Sequence, residues 1–155
     1  MNFKIIYISS EKNSNIEILV NNYIKKIKHL AEIDLFKIHN KNKSKKKNFN
    51  IDYESNLIIN QLSKNDINIL IDEKGDEYET IKFSSFIQKK FLYTSKKIVF
   101  IVGGAYGFNE ELNKTIEKKI SLSKFTYTHD MARLLLIEQI YRALTIIKNI
   151  PYHNQ

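Results

Sequence analysis

The sequence predicts an α/β fold, a mostly parallel sheet flanked by helices. Two short runs, 67–71 (INILI) and 98–102 (IVFIV), are almost wholly apolar, as strands are when helices cover both faces of their sheet. Between the strand-like runs lie stretches with apolar residues every three or four positions, and strands alternating with helices imply parallel crossovers. A length of 155 residues suits one domain spanning 1–155, because two would each be too small to bury a core.

Residues 3–8 (FKIIYI) read as the first strand. Ile16, Leu19, Val20, Tyr23, Ile24, Ile27 and Leu30 then make an amphipathic helix, with residues 13–15 as candidate caps and Lys25, Lys26 and Lys28 outside the apolar stripe. A second strand covers 33–38. The next stretch, HNKNKSKKKNFN, belongs to a segment with six lysines between Lys37 and Lys47 and has no apolar period, which predicts a mobile surface loop, either simply solvated or touching RNA phosphate. Ile51, Ser55, Ile58, Ile59 and Leu62 mark a second helix. After 67–71, Asp72, Glu73, Lys74 and Gly75 form an exit turn. Phe83, Phe86, Ile87 and Phe91 mark a third helix before 98–102.

That strand runs into Gly103, Gly104, Ala105, Tyr106 and Gly107, after which Asn109 caps a helix holding Leu112, Ile116 and Ile120. Glycines serve where the backbone takes positive φ or where a ligand comes close. The spacing GGxxG is neither the GxGxxG dinucleotide fingerprint nor a Walker loop, and a plain strand-to-helix turn explains it equally well. Residues 121–128 alternate hydroxyl side chains with Leu122, Phe125 and Tyr127, as a short strand or an extended loop rich in free N–H groups. Asp130 is the expected cap of a helix over 131–149, which Pro151 ends. Ala132, Leu136, Ile137, Ile140, Ala143, Leu144 and Ile147 give that helix one apolar face. Met131, Leu135 and Ile146 give it a second, mixed one, and covering both predicts a homodimer contact or a central position in one chain.

A net charge of +8 points to a polyanionic partner such as nucleic acid, although a lysine-rich composition also arises without function. No apolar run is long enough to span a membrane, and the amino-terminal apolar run is short for a signal peptide, so no membrane association and a cytosolic location are expected. With no cysteine there is no disulfide or thiolate metal site, and His29, His39, His129 and His153 lack paired ligand spacing, so no metal is expected. Ligands of parallel sheets bind beyond strand carboxyl ends. Three such ends, at Ile71, at Gly103 and at the 121–128 segment, converge on one pocket lined by main-chain atoms.

Read together, GGxxGF, SLSxxTxxH, RxLLxEQIYRA and a final PYH resemble the RlmH family of ribosomal RNA methyltransferases, members of the SPOUT superfamily. The resemblance spans nearly the whole chain. It implies a deep trefoil knot at the carboxyl end, a homodimer, S-adenosylmethionine as cofactor, and methylation of N3 of a pseudouridine in 23S rRNA of the ribosome. Carried over by motif, the cofactor contacts are Ile71, Gly103, Leu122, Ser123, Lys124, Phe125, Thr126 and Tyr127, mostly through the backbone. Ala105, Tyr106 and Thr128 depart from the family, which often has proline, glutamate and proline there.

An imide N–H is a poor nucleophile until deprotonated, so the acceptor needs a base or a nearby cation. The resemblance makes His153 and Tyr152 the candidates for proton removal and substrate positioning, imidazole being suited to a base near neutral pH. Arg142 is the candidate for stabilising charge on the carbonyl oxygens or holding phosphate, in competition with an i,i+4 pair to Glu138. His129 is expected to bond local backbone, and Arg133 to meet RNA phosphate or a dimer partner. The rivals are a non-catalytic RNA- or ribosome-binding protein of the same fold, and a nicotinamide enzyme using the glycine turn.

Overall fold

The computed structural model describes residues 1–9, 14–40 and 44–153, so the candidate cap Asn13 and the lysines at 41 and 43 lie outside it. Among the described residues ten elements alternate: β1 (Asn2–Ile8), α1 (Ser14–Lys28), β2 (Glu32–Ile38), α2 (Lys47–Ile59), β3 (Ile67–Glu77), α3 (Thr80–Tyr93), β4 (Ile98–Val102), α4 (Glu110–Thr115), β5 (Lys119–Ser121) and α5 (His129–Ile147). The strands form one sheet of order β2-β1-β4-β3-β5, parallel at every pairing.

Pleating sends Phe3, Ile5 and Tyr7 of β1 to one face and Ile6 and Ile8 to the other, and β4 divides its five residues likewise. The first face receives Val20, Ile24 and Ile27 of α1, Phe83 and Ile87 of α3, and Leu136, Ile137, Ile140, Ala143 and Leu144 of α5. On the second face sit Ile58 of α2 and Leu112 of α4. A constant right-handed crossover requires the connecting helix to change face whenever the chain reverses direction across the sheet. Steps from β1 to β2 and from β3 to β4 run one way, and those from β2 to β3 and from β4 to β5 run the other, so α1 and α3 share one face and α2 and α4 the opposite one. Core side chains such as Phe3 and Phe100 are fully buried, each contributing about 1.5–3 kcal/mol.

Three expectations need correction. Lys47 begins α2, so the last part of the lysine-rich stretch is helix; its first turn faces solvent and carries no apolar period. Ile116 and Ile120 do not continue α4: its six residues end at Thr115, and Ile120 belongs to β5, one-turn spacing having mimicked a helix. Thr128, not Asp130, caps α5, its hydroxyl accepting from Met131 N at 3.4 Å. α1 and α3 pack beside the apolar face of α5, whereas its mixed side stays uncovered within the chain, with Met131 38% exposed and Leu135 and Ile146 partly buried.

The predicted exit turn after Ile71 is also part of β3. Ile71 and Asp76 both lie opposite Ile120, so the residues between them bulge out of the ladder before β3 rejoins β5. Gly75 permits this, because a Cβ there would sit 2.6 Å from Ile120 N and 2.7 Å from Lys119 C. Lys118 ties down the rejoined end by donating to Asp76 at 2.6 Å and to Tyr78 at 2.9 Å; desolvation opposes its charge, but these bonds outweigh it and raise its pKa. Gly75→Ala is expected to cost about 2–3 kcal/mol, since the clashing atoms are backbone and cannot rotate aside. A urea midpoint equal to that of the parent would show the bulge relaxing freely.

Candidate functional site

Tyr7, Val102 and Ile71 are level in the sheet, so β1, β4 and β3 reach a common edge there and Gly103 departs beside Ile71. Ser121 ends β5 and its hydroxyl donates to Ser123 O at 2.9 Å, while Ser123 Oγ accepts from Phe125 N at 3.0 Å. These bonds curl residues 122–125 into a compact loop. Thr126 Oγ1 then donates to Glu73 Oε2 at 3.1 Å, tying the loop to the bulge of β3. Lys124, Phe125, Thr126 and Tyr127 are exposed, with Leu122 and Ser123 partly buried. Among the described residues, the backbone N–H groups of Lys124, Thr126 and Tyr127 make no hydrogen bond.

The glycine turn closes through Gly107 N donating to Gly104 O at 3.2 Å, with Gly107 at φ 77°, a conformation suited to glycine. Helix α2 braces it from behind. Ser55 Oγ accepts from Asn109 N at 2.9 Å, and the buried Glu54 carboxylate packs against Gly104 while accepting from Asn40 Nδ2 at 2.9 Å. Asn109 caps α4, its Oδ1 accepting from Leu112 N at 2.9 Å. Sequence reasoning missed Glu54. An acidic residue on the helix side that also holds Ser55 and Ile58 was the available signal.

At the far end of α5 the three candidate catalytic residues do meet. Arg142 donates from Nε and Nη2 to Glu138 Oε1 at 3.0 and 2.7 Å, and Tyr152 OH donates to the same oxygen at 3.1 Å. Arg142 Nη1 lies 3.3 Å from His153 Nδ1. Guanidinium only donates, so Nδ1 is the acceptor and carries no proton in this contact. The guanidinium also covers the Tyr152 ring at 4.7 Å, and Tyr141 meets that ring edge-on at 4.8 Å. Tyr23 of α1, read from the sequence only as part of an apolar stripe, brings its hydroxyl to 3.3 Å from that of Tyr152. Burial first, then the bonds with Tyr23 and Glu138, raise the Tyr152 pKa well above that of a free phenol, so it stays protonated at neutral pH. The bond to Glu138 likewise raises Arg142.

Two further expectations fail. Arg133 does not face solvent: it is 1 % exposed, pairs with Glu17 Oε1 at 2.7 Å and Asp130 Oδ1 at 3.5 Å, and lies over the Tyr7 ring at 4.3 Å. Buried there, it locks α5 to α1 and β1. His129 does not bond local backbone through Nε2; that atom is buried, lacks a hydrogen-bond partner and lies 3.7 Å from Asp130 Oδ2.

Within one chain the two groups of candidates stay apart. The 122–127 loop adjoins the start of α5, and Arg142 lies thirteen residues beyond His129, roughly 20 Å along the axis at 1.5 Å per residue. The family model described as "Predicted SPOUT methyltransferase" matches residues 1–153. The chain belongs to the SPOUT methyltransferase family. A relative from Flavobacterium johnsoniae named "Ribosomal RNA large subunit methyltransferase H" is 38% identical over 161 residues, covering all of both chains. One of the same name from Flavobacterium psychrophilum is 40% identical over 161 residues, again over both full lengths. The SPOUT fold extends to distant solved structures. A "probable methylase family protein" from Haemophilus influenzae Rd KW20 superposes with a TM-score of 0.55 at 14% identity, over 99% of this chain and 71% of the other. A Legionella pneumophila protein in complex with the cofactor SAM gives 0.50 at 10% identity, over 95% and 66%. Tyr106 and Thr128 have local roles here: Tyr106 carries Lys47 over its ring at 5.3 Å, and Thr128 caps α5.

Proposed function

We propose that this SPOUT protein is an S-adenosylmethionine-dependent methyltransferase of large-subunit ribosomal RNA, acting on N3 of a pseudouridine as a homodimer, with the knotted carboxyl end its family resemblance implies. The observation that carries the reading is a shared sheet edge: Gly103 leaves β4 beside Ile71, where β3 bulges, and the loop that follows Ser121 is tied to that bulge through Thr126 and Glu73. The residues there fit the cofactor. Free N–H groups at Lys124, Thr126 and Tyr127 offer hydrogen bonds to an adenosyl group, the turn at Gly103 allows close approach, and Leu122 and Ile71 supply apolar surface. When bound, S-adenosylmethionine supplies an electrophilic methyl group on a sulfonium.

The tail prepares the acceptor. His153 Nδ1 is kept unprotonated by the Arg142 N–H, so the imidazole enters the reaction as a base. Exchanging that N–H for the imide N3–H moves the imide proton to Nδ1, and the released guanidinium arm faces the negative charge developing on the carbonyl oxygens. Tyr152, protonated and held by Glu138 and Tyr23, positions the ring by its hydroxyl and face. Because loop and tail lie at opposite ends of α5, a second chain must bring its tail to the first chain's loop, which supports the dimer.

Two measurements test this reading. Mass spectrometry of 23S rRNA from cells with and without the protein is expected to show one methylated pseudouridine only with it. Calorimetry is expected to show S-adenosylmethionine binding. An identical modification profile together with no cofactor heat would leave the rival, a non-catalytic RNA-binding protein, in its place.

A further inference from the structure

The lysines and aromatic rings at the start of α2 form an ordered surface beside the glycine turn. Ser44 and Asn50 bond reciprocally, Ser44 N donating to Asn50 Oδ1 at 2.9 Å and Asn50 Nδ2 to Ser44 O at 2.7 Å, while Lys46 N donates to Ser44 Oγ at 3.1 Å. The described part of the lysine run is therefore pinned to the first turn of the helix. Lys45, Lys46 and Lys47 remain exposed. Among them stand three aromatic rings: Phe49 is 50% exposed and lies parallel to Tyr53, 4° apart in plane at 6.2 Å, and Tyr106, 51% exposed, carries the Lys47 ammonium over its face at 5.3 Å.

Exposed rings interleaved with cations suit a single-stranded nucleic acid, whose bases stack while its phosphates meet the lysines. The neighbouring acids offset this charge only in part. Glu54 points inward against Gly104 and Glu110 pairs with Lys114 at 2.7 Å, whereas Asp52, which accepts from the neutral Asn109 Nδ2 at 3.2 Å, and Glu111 keep their charges. Because α2 is bonded to the turn through Ser55 and Asn109, the surface and the pocket keep a fixed relation.

We infer that Phe49, Tyr53 and Tyr106 with Lys45, Lys46 and Lys47 form a stacking platform for unpaired nucleotides of the RNA substrate, next to the cofactor pocket; the identity of that RNA rests on the proposed function. The test measures binding of a fluorescent oligouridylate to the full chain across a salt series. Phe49→Ala and Tyr106→Ala are each expected to weaken binding about tenfold at fixed salt, with no change in salt slope, because a ring releases no counterions. Tyr106→Phe keeps the ring and is expected to bind like the parent. The triple Lys45→Ala, Lys46→Ala, Lys47→Ala chain is expected to flatten the slope by about two, at about 0.7 per phosphate contact. All these side chains are exposed, so thermal midpoints should not move.

Parental binding by both ring variants would overturn the platform. So would parental oligouridylate binding combined with loss of ribosome binding, which would assign this face to a ribosomal protein. Calorimetry with S-adenosylmethionine separates the two proposals: no cofactor heat removes the methyltransferase reading and leaves the platform standing, whereas normal heat with unaffected RNA binding does the reverse.

Discussion

His153→Ala is expected to lower the methylation rate by about 10²- to 10⁴-fold, the usual contribution of a positioned base, while S-adenosylmethionine affinity stays at the parental value. The tail cluster offers few other proton acceptors. Tyr152 is held protonated by burial and by its bonds to Tyr23 and Glu138. Glu138 Oε1 already accepts from Arg142 Nε, Arg142 Nη2 and Tyr152. His153 Nδ1, which accepts one N–H from Arg142 at 3.3 Å, is the lone pair left to exchange. If cofactor affinity fell in step with rate, the tail would belong to the cofactor pocket and its assignment to the acceptor would be wrong.

Arg133→Met is expected to destabilise the fold by about 3 kcal/mol, the lower end for breaking a buried ion pair from one side. Methionine keeps much of the volume, so the loss isolates the charge. Arg133 is fully enclosed, and without it Asp130 and Glu17 face each other's charge near the Tyr7 ring. Glu17 is partly exposed and water screens part of its cost; Asp130 is buried and is not so relieved. For a chain of this length the drop in thermal midpoint should be about 6–12 °C. Adding Glu17→Gln should recover part of it. A double variant as unstable as the single one would mean that Arg133 acts by filling space beside Tyr7.

The sheet was legible because β4 and the inner parts of β1 and β3 are buried on both faces and must be largely apolar there, as IVFIV is. Ends and exposed elements were less so. The bulge and rejoined end of β3, DEKGDE, have several exposed side chains, so the pairing of Asp76 and Glu77 with β5 leaves no trace in hydropathy. The start of α2 faces water and has the same defect. Asp130 and Thr128 are both good caps two residues apart, and local chemistry did not separate them. The roles of Arg133 and Tyr23 depend on partners 116 and 129 positions away, which no spacing rule reaches. For the site, the motifs selected both clusters, and Arg142, Tyr152 and His153 lie in contact with one another. The distance between loop and tail is a property of a whole helix and was not visible in either motif.

That helix works as a measuring rod. α5 starts right after the 122–127 loop and ends just before the tail, so its nineteen residues set the offset between the two in angle as well as in length. One inserted residue would turn the tail by about 100° and shift it about 1.5 Å relative to the loop. Residues along α5 that touch neither RNA nor methyl donor are therefore held to a fixed number, and a change in their count would misalign the two ends even if every side chain at both remained intact.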